Sequence, residues 1–281
     1  MLVNLNDVLI PAQKGGYAVG LFNTTDSDML EAVIAAAEET RSPVIIGTAE
    51  VLLPYGELKL IAPSVRAAAE RATVPVVMHY DHGLTVERCI EALDLGFTSI
   101  MFDGSAGDEA ENIALTRKMV EMAHAKGATV EGEIGHVGNN EGAAESDGDA
   151  KSAYTTPEQA KAFVEATGVD ALAVAIGTAH GAYIKKPCLD LDRLAEIRAT
   201  IDTPLVLHGG SGLSDDDFRN TIKGGIAKVN IFTDLCLAGE RACKRGLEEN
   251  AGYLNMRNMK VEEIKKETMK KMLVFGCNGR A

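Results

Sequence analysis

Eight times in succession the chain places a short apolar run ahead of a helix-like stretch. The runs are 17–23 (YAVGLFN), 43–49 (PVIIGTA), 75–83 (PVVMHYDHG), 99–105 (SIMFDGS), 129–135 (TVEGEIG), 171–181 (ALAVAIGTAHG), 204–210 (PLVLHGG) and 227–233 (AKVNIFT). Nearly continuous apolar strands suit a parallel sheet with helices over it. Eight such units in about 250 residues fit a closed (β/α)8 TIM barrel. The competing architecture is a doubly wound open sheet, but no GxGxxG follows the first strand. The expected fold is therefore α/β, one TIM-barrel domain over 1–281, with an extra helical segment at about 257–281. That C-terminal arm lies outside the eight units and is suited to bracing a partner subunit.

Local signals support the helix positions. Thr156, Pro157 and Gln159 combine an N-cap, a proline at the first helical position and a capping-box partner. Gly96, Gly127 and Gly168 are placed to close helices. Segment 136–155 is rich in Gly, Asn, Asp, Ser and Ala, and loops of this length inside a compact domain are usually functional or disordered. It follows the fifth strand, on the face where barrels keep their sites, and reads as a mobile lid.

The bulk numbers exclude several roles. A net charge of −13 disfavours a nucleic-acid partner, yet a local pocket can still bind small anions. No charged segment precedes an apolar core at the N-terminus, and no run of about 18 apolar residues exists, so neither a signal peptide nor a membrane span is expected. The five cysteines are scattered and lack CxxC spacing, which points to a reducing, cytoplasmic setting.

Polar residues gather at the strands' C-terminal ends, where barrel active sites lie. Asp81 and His82 end the third strand, Asp103 the fourth, His180 the sixth and His208 the seventh, while Glu131 and Glu133 lie on the fifth. Of six histidines, only His124 and His136 fall elsewhere. One histidine at a strand end is usually a hydrogen-bonded structural residue. Three from different strands at one mouth match a catalytic zinc site with an open position. Asp103 and Glu133 could orient those ligands or hold a second cation. The stretches HGGSG (208–212) and NIFTD (230–234) follow the last two strands, the usual barrel phosphate site.

The motifs DHG (81–83), DGS (103–105), VEGEIG (130–135), GTAHGAY (177–183), LVLHGGSG (205–212) and KVNIFT (228–233), in this order, resemble the class II, zinc-dependent ketose-bisphosphate aldolases, which act on fructose or tagatose 1,6-bisphosphate. The likeness runs over nearly the whole chain and is greatest to the short-chain, tagatose-type branch. It implies a lyase that reversibly cleaves a ketose 1,6-bisphosphate into dihydroxyacetone phosphate and an aldehyde such as glyceraldehyde 3-phosphate. His82, His180 and His208 match the zinc ligands, and Asp103 and Glu133 a second cation position. Asp81 matches the acid–base group at the aldehyde oxygen, and Glu141 the lid base. Gly181, Gly209, Gly210, Ser211, Asn230, Ile231, Phe232 and Thr233 match the dihydroxyacetone-phosphate cradle. Asn23 and Thr48 could line the aldehyde side, and Arg280 resembles a basic residue that reaches the distal phosphate in a neighbouring subunit. A homodimer or homotetramer is expected.

Three departures leave the substrate open: Tyr80 in place of a small aliphatic residue, GNNEG in the lid, and Phe232 in the phosphate stretch. The same chemistry on another ketose phosphate or aldehyde is one alternative. A non-catalytic aldolase-like partner subunit is a second, and a metal-dependent hydrolase on the same fold is a third. Those hydrolases commonly begin with HxH on the first strand, where this chain has Phe22-Asn23.

Overall fold

The computed structural model describes residues 1–135, 154–181, 183 and 187–281. Eight parallel strands form a closed ring: β2 (Val19–Asn23), β3 (Val44–Ala49), β4 (Val76–Gly83), β5 (Ser99–Phe102), β6 (Thr129–Ile134), β7 (Ala171–Val174), β8 (Leu205–Leu207) and β9 (Ile226–Ile231). Pairing of β2 with β9 and of β4 with β5 completes the ring. Every strand residue is buried, as expected where side chains fill the interior and helices cover the outside.

The helices between strands are α2 (Ser27–Thr40), α3 (Leu58–Arg71), α4 (Val86–Asp94), α5 (Glu109–His124), α6 (Pro157–Thr167), α7 (Leu191–Thr200), α8 (Asp215–Lys223) and, after β9, α9 (Thr233–Glu248). Thr156 and Gln159 form the expected capping box at α6. Gly168 caps α6 at φ 73°, while Gly96 and Gly127 follow the C-caps Leu95 and Ala125 at φ 87° and 74°. All three occupy the left-handed region that glycine adopts without steric cost.

Two elements lie outside the eight-unit pattern at the N-terminus. The strand β1 (Leu2–Val3) pairs with β4, and α1 (Leu5–Gly15) follows. Leu5 N–H donates to Thr129 Oγ1, Asn6 Nδ2 to Asp170 Oδ1, and Gln13 Nε2 to the Asp202 carbonyl. These partners stand at or just before the starts of β6, β7 and β8, so α1 crosses the N-terminal end of the barrel. Its apolar face, Leu5, Val8, Leu9 and Ala12, is buried there.

The C-terminal arm is α10 (Tyr253–Phe275), which packs between α9 and α2 over β2. Ile264, Met272 and Phe275 are almost completely buried, and the Phe275 ring meets Phe218 edge-on at 5.1 Å. Arg257 pairs with Asp28 and Glu31, Lys260 with Asp28, and Lys265 with Glu39. Partly exposed pairs of this kind contribute about 0–1 kcal/mol each. Each buried apolar side chain contributes roughly 1.5–3 kcal/mol. Packing within the chain therefore holds α10, and its inner face belongs to this barrel's own helix layer.

Candidate active site

Strand alternation aims His79 and Asp81 into the barrel and Tyr80 out toward the helices. Tyr80 packs edge-on against Phe97 at 5.9 Å and donates to Glu50 Oε2 at 3.2 Å. It therefore lies behind the sheet, away from the pocket. His82 would follow Tyr80 outward, but the β4–β5 register shifts between Tyr80 and Gly83, and His82 takes φ 43°. This left-handed backbone is uncommon for a residue with a side chain and often marks a functional position. The bulge turns His82 to the mouth of the barrel.

There it meets His180, in the segment after β7, and His208, just after β8. Ring centroids are 4.7 Å apart for His82–His180, 4.4 Å for His82–His208 and 5.6 Å for His180–His208. One nitrogen from each ring lies within 4.8 Å of the others. Asp103 Oδ2 lies 2.8 Å from His82 Nδ1, and Glu131 Oε1 lies 2.8 Å from His208 Nε2. Burial pushes both carboxyl pKa values up. The His82 hydrogen bond and charge outweigh this at Asp103, and the Lys228 ammonium with His208 does so at Glu131, holding it at about 2. Both carboxylates are thus ionised acceptors, so the facing ring nitrogens must donate. The opposite nitrogens, His82 Nε2 and His208 Nδ1, have no hydrogen-bond partner, and neither has either nitrogen of His180. Buried imidazole nitrogens left this way fit a metal ion, with the two carboxylates orienting the rings.

Protonation follows the same charges. Burial lowers the pKa of His180 and His208. Burial also acts on His82, but Asp81 and the Asp103 hydrogen bond override it and hold the pKa up, at about 10. Without a cation, His82 carries the positive charge of the trio. A divalent ion would replace its Nε2 proton.

Asp81 lies beside the trio, almost completely buried. Asn23 Nδ2 donates to its Oδ2 at 2.8 Å and Asn230 Nδ2 to its Oδ1 at 3.0 Å. Burial pushes its carboxyl up, but His82, Lys228 and His208 hold it well below the usual carboxylate range. Asp81 is therefore an ionised, two-point-held acceptor. Gly47 makes room for the Asn23 clamp, since a Cβ there would stand 2.3 Å from Asn23 Oδ1.

A small, partly open cavity lies beside Asp81 and His180, lined by Asn23, Gly181, Gly209, Gly210, Ser211, Asn230, Ile231, Phe232 and Thr233. The Ser211 hydroxyl accepts from Phe232 N–H at 3.2 Å and Asp234 N–H at 3.3 Å. Gly209 sits at φ 66°, and a Cβ there would stand 2.4 Å from the Ala179 carbonyl oxygen. Glycine is required where the β8 loop passes the His180 segment. Phe232 and Thr233 also line a second hollow with Thr25, Val51, Leu52, Tyr55 and Cys236.

The fold of these elements is shared with known proteins. Residues 3–280 match the family model described as class-II fructose-bisphosphate aldolase. The chain belongs to the class II fructose-bisphosphate aldolase family. It is 40% identical over 265 residues to YdjI of Escherichia coli (strain K12), covering 94% of each chain. It is 38% identical over 286 residues to a fructose-bisphosphate aldolase of Staphylococcus aureus (strain Mu50), covering 100% of this chain and 99% of that one. The crystal structure of the YdjI aldolase superposes over 100% of both chains with a TM-score of 0.91 and 37% identity. Membership of this family makes the chain an aldolase, a carbon–carbon lyase. No helix among the described residues is long and apolar enough to cross a membrane.

Against the expectations for a class II aldolase, most of the residues singled out in the sequence converge on one mouth. Two do not. Thr48 pairs in register with Tyr80 and shares its outward face, so alternation carries it away from the cavity. Arg280 lies over the Tyr17 ring at 5.3 Å, and the backbone beside it bonds to Thr40 and Arg41. That is the N-terminal end of β2, at the opposite end of the barrel, so within one chain Arg280 contributes nothing to the cavity. Of the lid expected at 136–155, Glu141 and all residues from 136 to 153 lie outside the described residues, while Thr155 is buried, donating to the Ile134 carbonyl and accepting from Ala175 N–H, and so belongs to the barrel wall. Asp103 accepts from His82 through Oδ2 and from Ser105 through Oδ1, at 2.7 Å from the hydroxyl. These bonds suit an orienting role. Glu133 Oε2 lies 3.5 Å from His208 Nδ1, next to the trio.

Three interior residues were not among the expected site residues. Lys228 Nζ lies 2.7 Å from Glu131 Oε2, with both side chains fully buried. His79 Nδ1 meets Ser99 Oγ at 2.7 Å, and burial with Lys228 lowers its pKa to about 3, leaving it neutral. The cluster His79, Asp81 and Glu131 could also hold an ion, but the Lys228 ammonium already supplies a cation there. A charged Glu131 and Lys228 inside otherwise apolar strands were the available signal.

Proposed function

We propose that this class II aldolase is a zinc enzyme that reversibly cleaves a ketose 1-phosphate into dihydroxyacetone phosphate and an aldehyde, with fructose or tagatose 1,6-bisphosphate as the first substrates to test. The observation that carries this reading is the unpartnered nitrogen set of His82, His180 and His208 beside an amide-clamped Asp81. When bound, zinc supplies the Lewis acidity that polarises the ketose carbonyl and stabilises developing negative charge. Asp103 and Glu131 orient His82 and His208 for that ligation. Asp103 and Glu133 are the carboxylates that a second cation would meet.

In cleavage, the ionised Asp81 accepts the proton of the hydroxyl on the carbon that becomes the aldehyde. In condensation the same group returns it. The amides of Asn23 and Asn230 fix the carboxylate for this transfer. Glu141 is assigned the removal of the proton from dihydroxyacetone phosphate in the condensation direction. The phosphate is assigned to the cavity between Gly209–Ser211 and the start of α9, where glycine permits close backbone approach and a helix N-terminus favours an anion. Phe232, in the wall of that cavity, is the residue to vary when substrate choice is examined. The five cysteines are free, in keeping with a cytoplasmic location, and a homodimer or homotetramer is the expected assembly.

The test is release of dihydroxyacetone phosphate from fructose and tagatose 1,6-bisphosphates by EDTA-treated protein, before and after zinc addition. Zinc-restored cleavage of either supports the reading. Zinc bound with no cleavage of any ketose 1-phosphate tried would overturn it.

A further inference from the structure

Lys271 sits on α10 with its side chain only 7% exposed, and its Nζ lies 2.6 Å from Asp234 Oδ2. Burying a lysine is costly unless a partner and further contacts compensate. Here the ammonium also lies 5.0 Å from the Phe218 ring centroid and 3.7 Å from Glu267 Oε1. Its partner does more than pair with it. Asp234 Oδ2 accepts from Gly212 N–H at 3.4 Å, and Asp234 N–H donates to Ser211 Oγ at 3.3 Å. Asp234 thus joins the first turn of α9 to the Ser211–Gly212 loop, the two sides of the cavity assigned to phosphate.

A carboxylate at that position carries an electrostatic penalty. Negative charge in the first turn of a helix offsets the helix's positive end, and it repels an incoming phosphate. The ammonium of Lys271, which is not among the residues lining the cavity, neutralises it. Ser211, which accepts two backbone N–H groups, keeps its own hydroxyl hydrogen free to donate.

We propose that Lys271 is a positioning residue for phosphate binding, acting through Asp234 as charge compensation for the cavity between Ser211 and α9. This inference rests on the reading of that cavity as the phosphate site. It separates the tether, which Asp234 provides, from the charge balance, which Lys271 provides.

The test compares zinc-loaded wild type, Lys271→Met, Lys271→Arg, Asp234→Asn and the Lys271→Met/Asp234→Asn pair. Dihydroxyacetone phosphate binding is measured by calorimetry, alongside thermal unfolding and steady-state kinetics. Lys271→Met should weaken dihydroxyacetone phosphate binding by about tenfold or more and raise KM more than it lowers kcat. Lys271→Arg should stay near wild type. The paired variant should recover most of the lost affinity, because the uncompensated carboxylate is gone. If Lys271→Met only lowers the unfolding temperature and binds the ligand as wild type does, the inference is overturned. If the pair binds no better than Lys271→Met, Lys271 acts through packing and the inference is overturned again. Should Lys271→Met fail to fold, Asp234→Asn decides: affinity unchanged or improved supports charge compensation, and a large loss overturns it. Absence of binding in the wild type would overturn the phosphate reading, and this inference with it.

Discussion

Glu131 Oε1 lies 2.8 Å from His208 Nε2, and both side chains are completely buried. The second carboxylate oxygen faces the Lys228 ammonium at 2.7 Å. A single interior glutamate therefore fixes which nitrogen of His208 faces the mouth and neutralises a buried lysine. Replacing Glu131 with Gln keeps the shape but removes the charge that makes His208 Nε2 the donor. Zinc affinity should fall about 10–100-fold. A competitive chelator titration that finds wild-type affinity in this variant would contradict the orienting role.

The same pair predicts a pH dependence. The Glu131 pKa in the fold is about 2, below its ordinary value of 4.5, because Lys228 and His208 outweigh the opposing burial. A depressed carboxyl pKa stabilises the fold at pH above the unfolded value, and that stability drains away as pH falls through the folded one. Metal-free protein should therefore lose stability from about pH 4.5 down toward 2. In Glu131→Gln the slope across this window should flatten, while stability at neutral pH drops by about 3–5 kcal/mol for the unpaired Lys228. Denaturant melts at a series of pH values measure both, and an unchanged slope in the variant would count against the assignment.

Asp81 is predicted to act in proton transfer rather than in holding the fold or the metal. Asp81→Asn should lower cleavage about 10²–10⁴-fold. Zinc content and dihydroxyacetone phosphate affinity should stay within a few-fold of wild type. Loss of zinc together with activity would instead mark Asp81 as part of the metal site.

Gly209 separates steric from electrostatic control of the cavity. Its φ of 66° and the 2.4 Å approach to the Ala179 carbonyl leave no room for a Cβ. Gly209→Ala should cost roughly 1–3 kcal/mol of stability and displace the His180 segment, reducing zinc affinity as well as phosphate binding. Measured zinc and phosphate affinities both at wild-type levels would refute this coupling.

The barrel was legible because its determinants are local: eight apolar runs, each followed by a helical stretch, with caps such as Thr156 and Gly168. The histidines were legible because strand ends place them on one face. The turn at His82 was not, since a register shift between Tyr80 and Gly83 depends on the neighbouring strand rather than on sequence pattern. The side on which Thr48 lies was not legible for a related reason. A residue near a strand's C-terminal end need not face inward, and only the Thr48–Tyr80 register reveals its side. Lys228 and Glu131 looked like isolated charges until folding brought together positions 97 residues apart (228 − 131). Arg280 is likened to a basic residue that serves a neighbouring subunit, and the backbone bonds of Gly279 and Ala281 to Thr40 and Arg41 hold it at the far end of its own barrel.

The most direct measurement is a zinc titration of EDTA-treated protein that follows bound metal and dihydroxyacetone phosphate release together, on wild type and on a His208→Ala variant. The account predicts that activity on a ketose 1-phosphate rises in step with zinc and saturates at about one ion per chain, and that His208→Ala shows neither tight binding nor restored cleavage. Full activity in the metal-free wild type, or undiminished zinc binding and cleavage in His208→Ala, would contradict it.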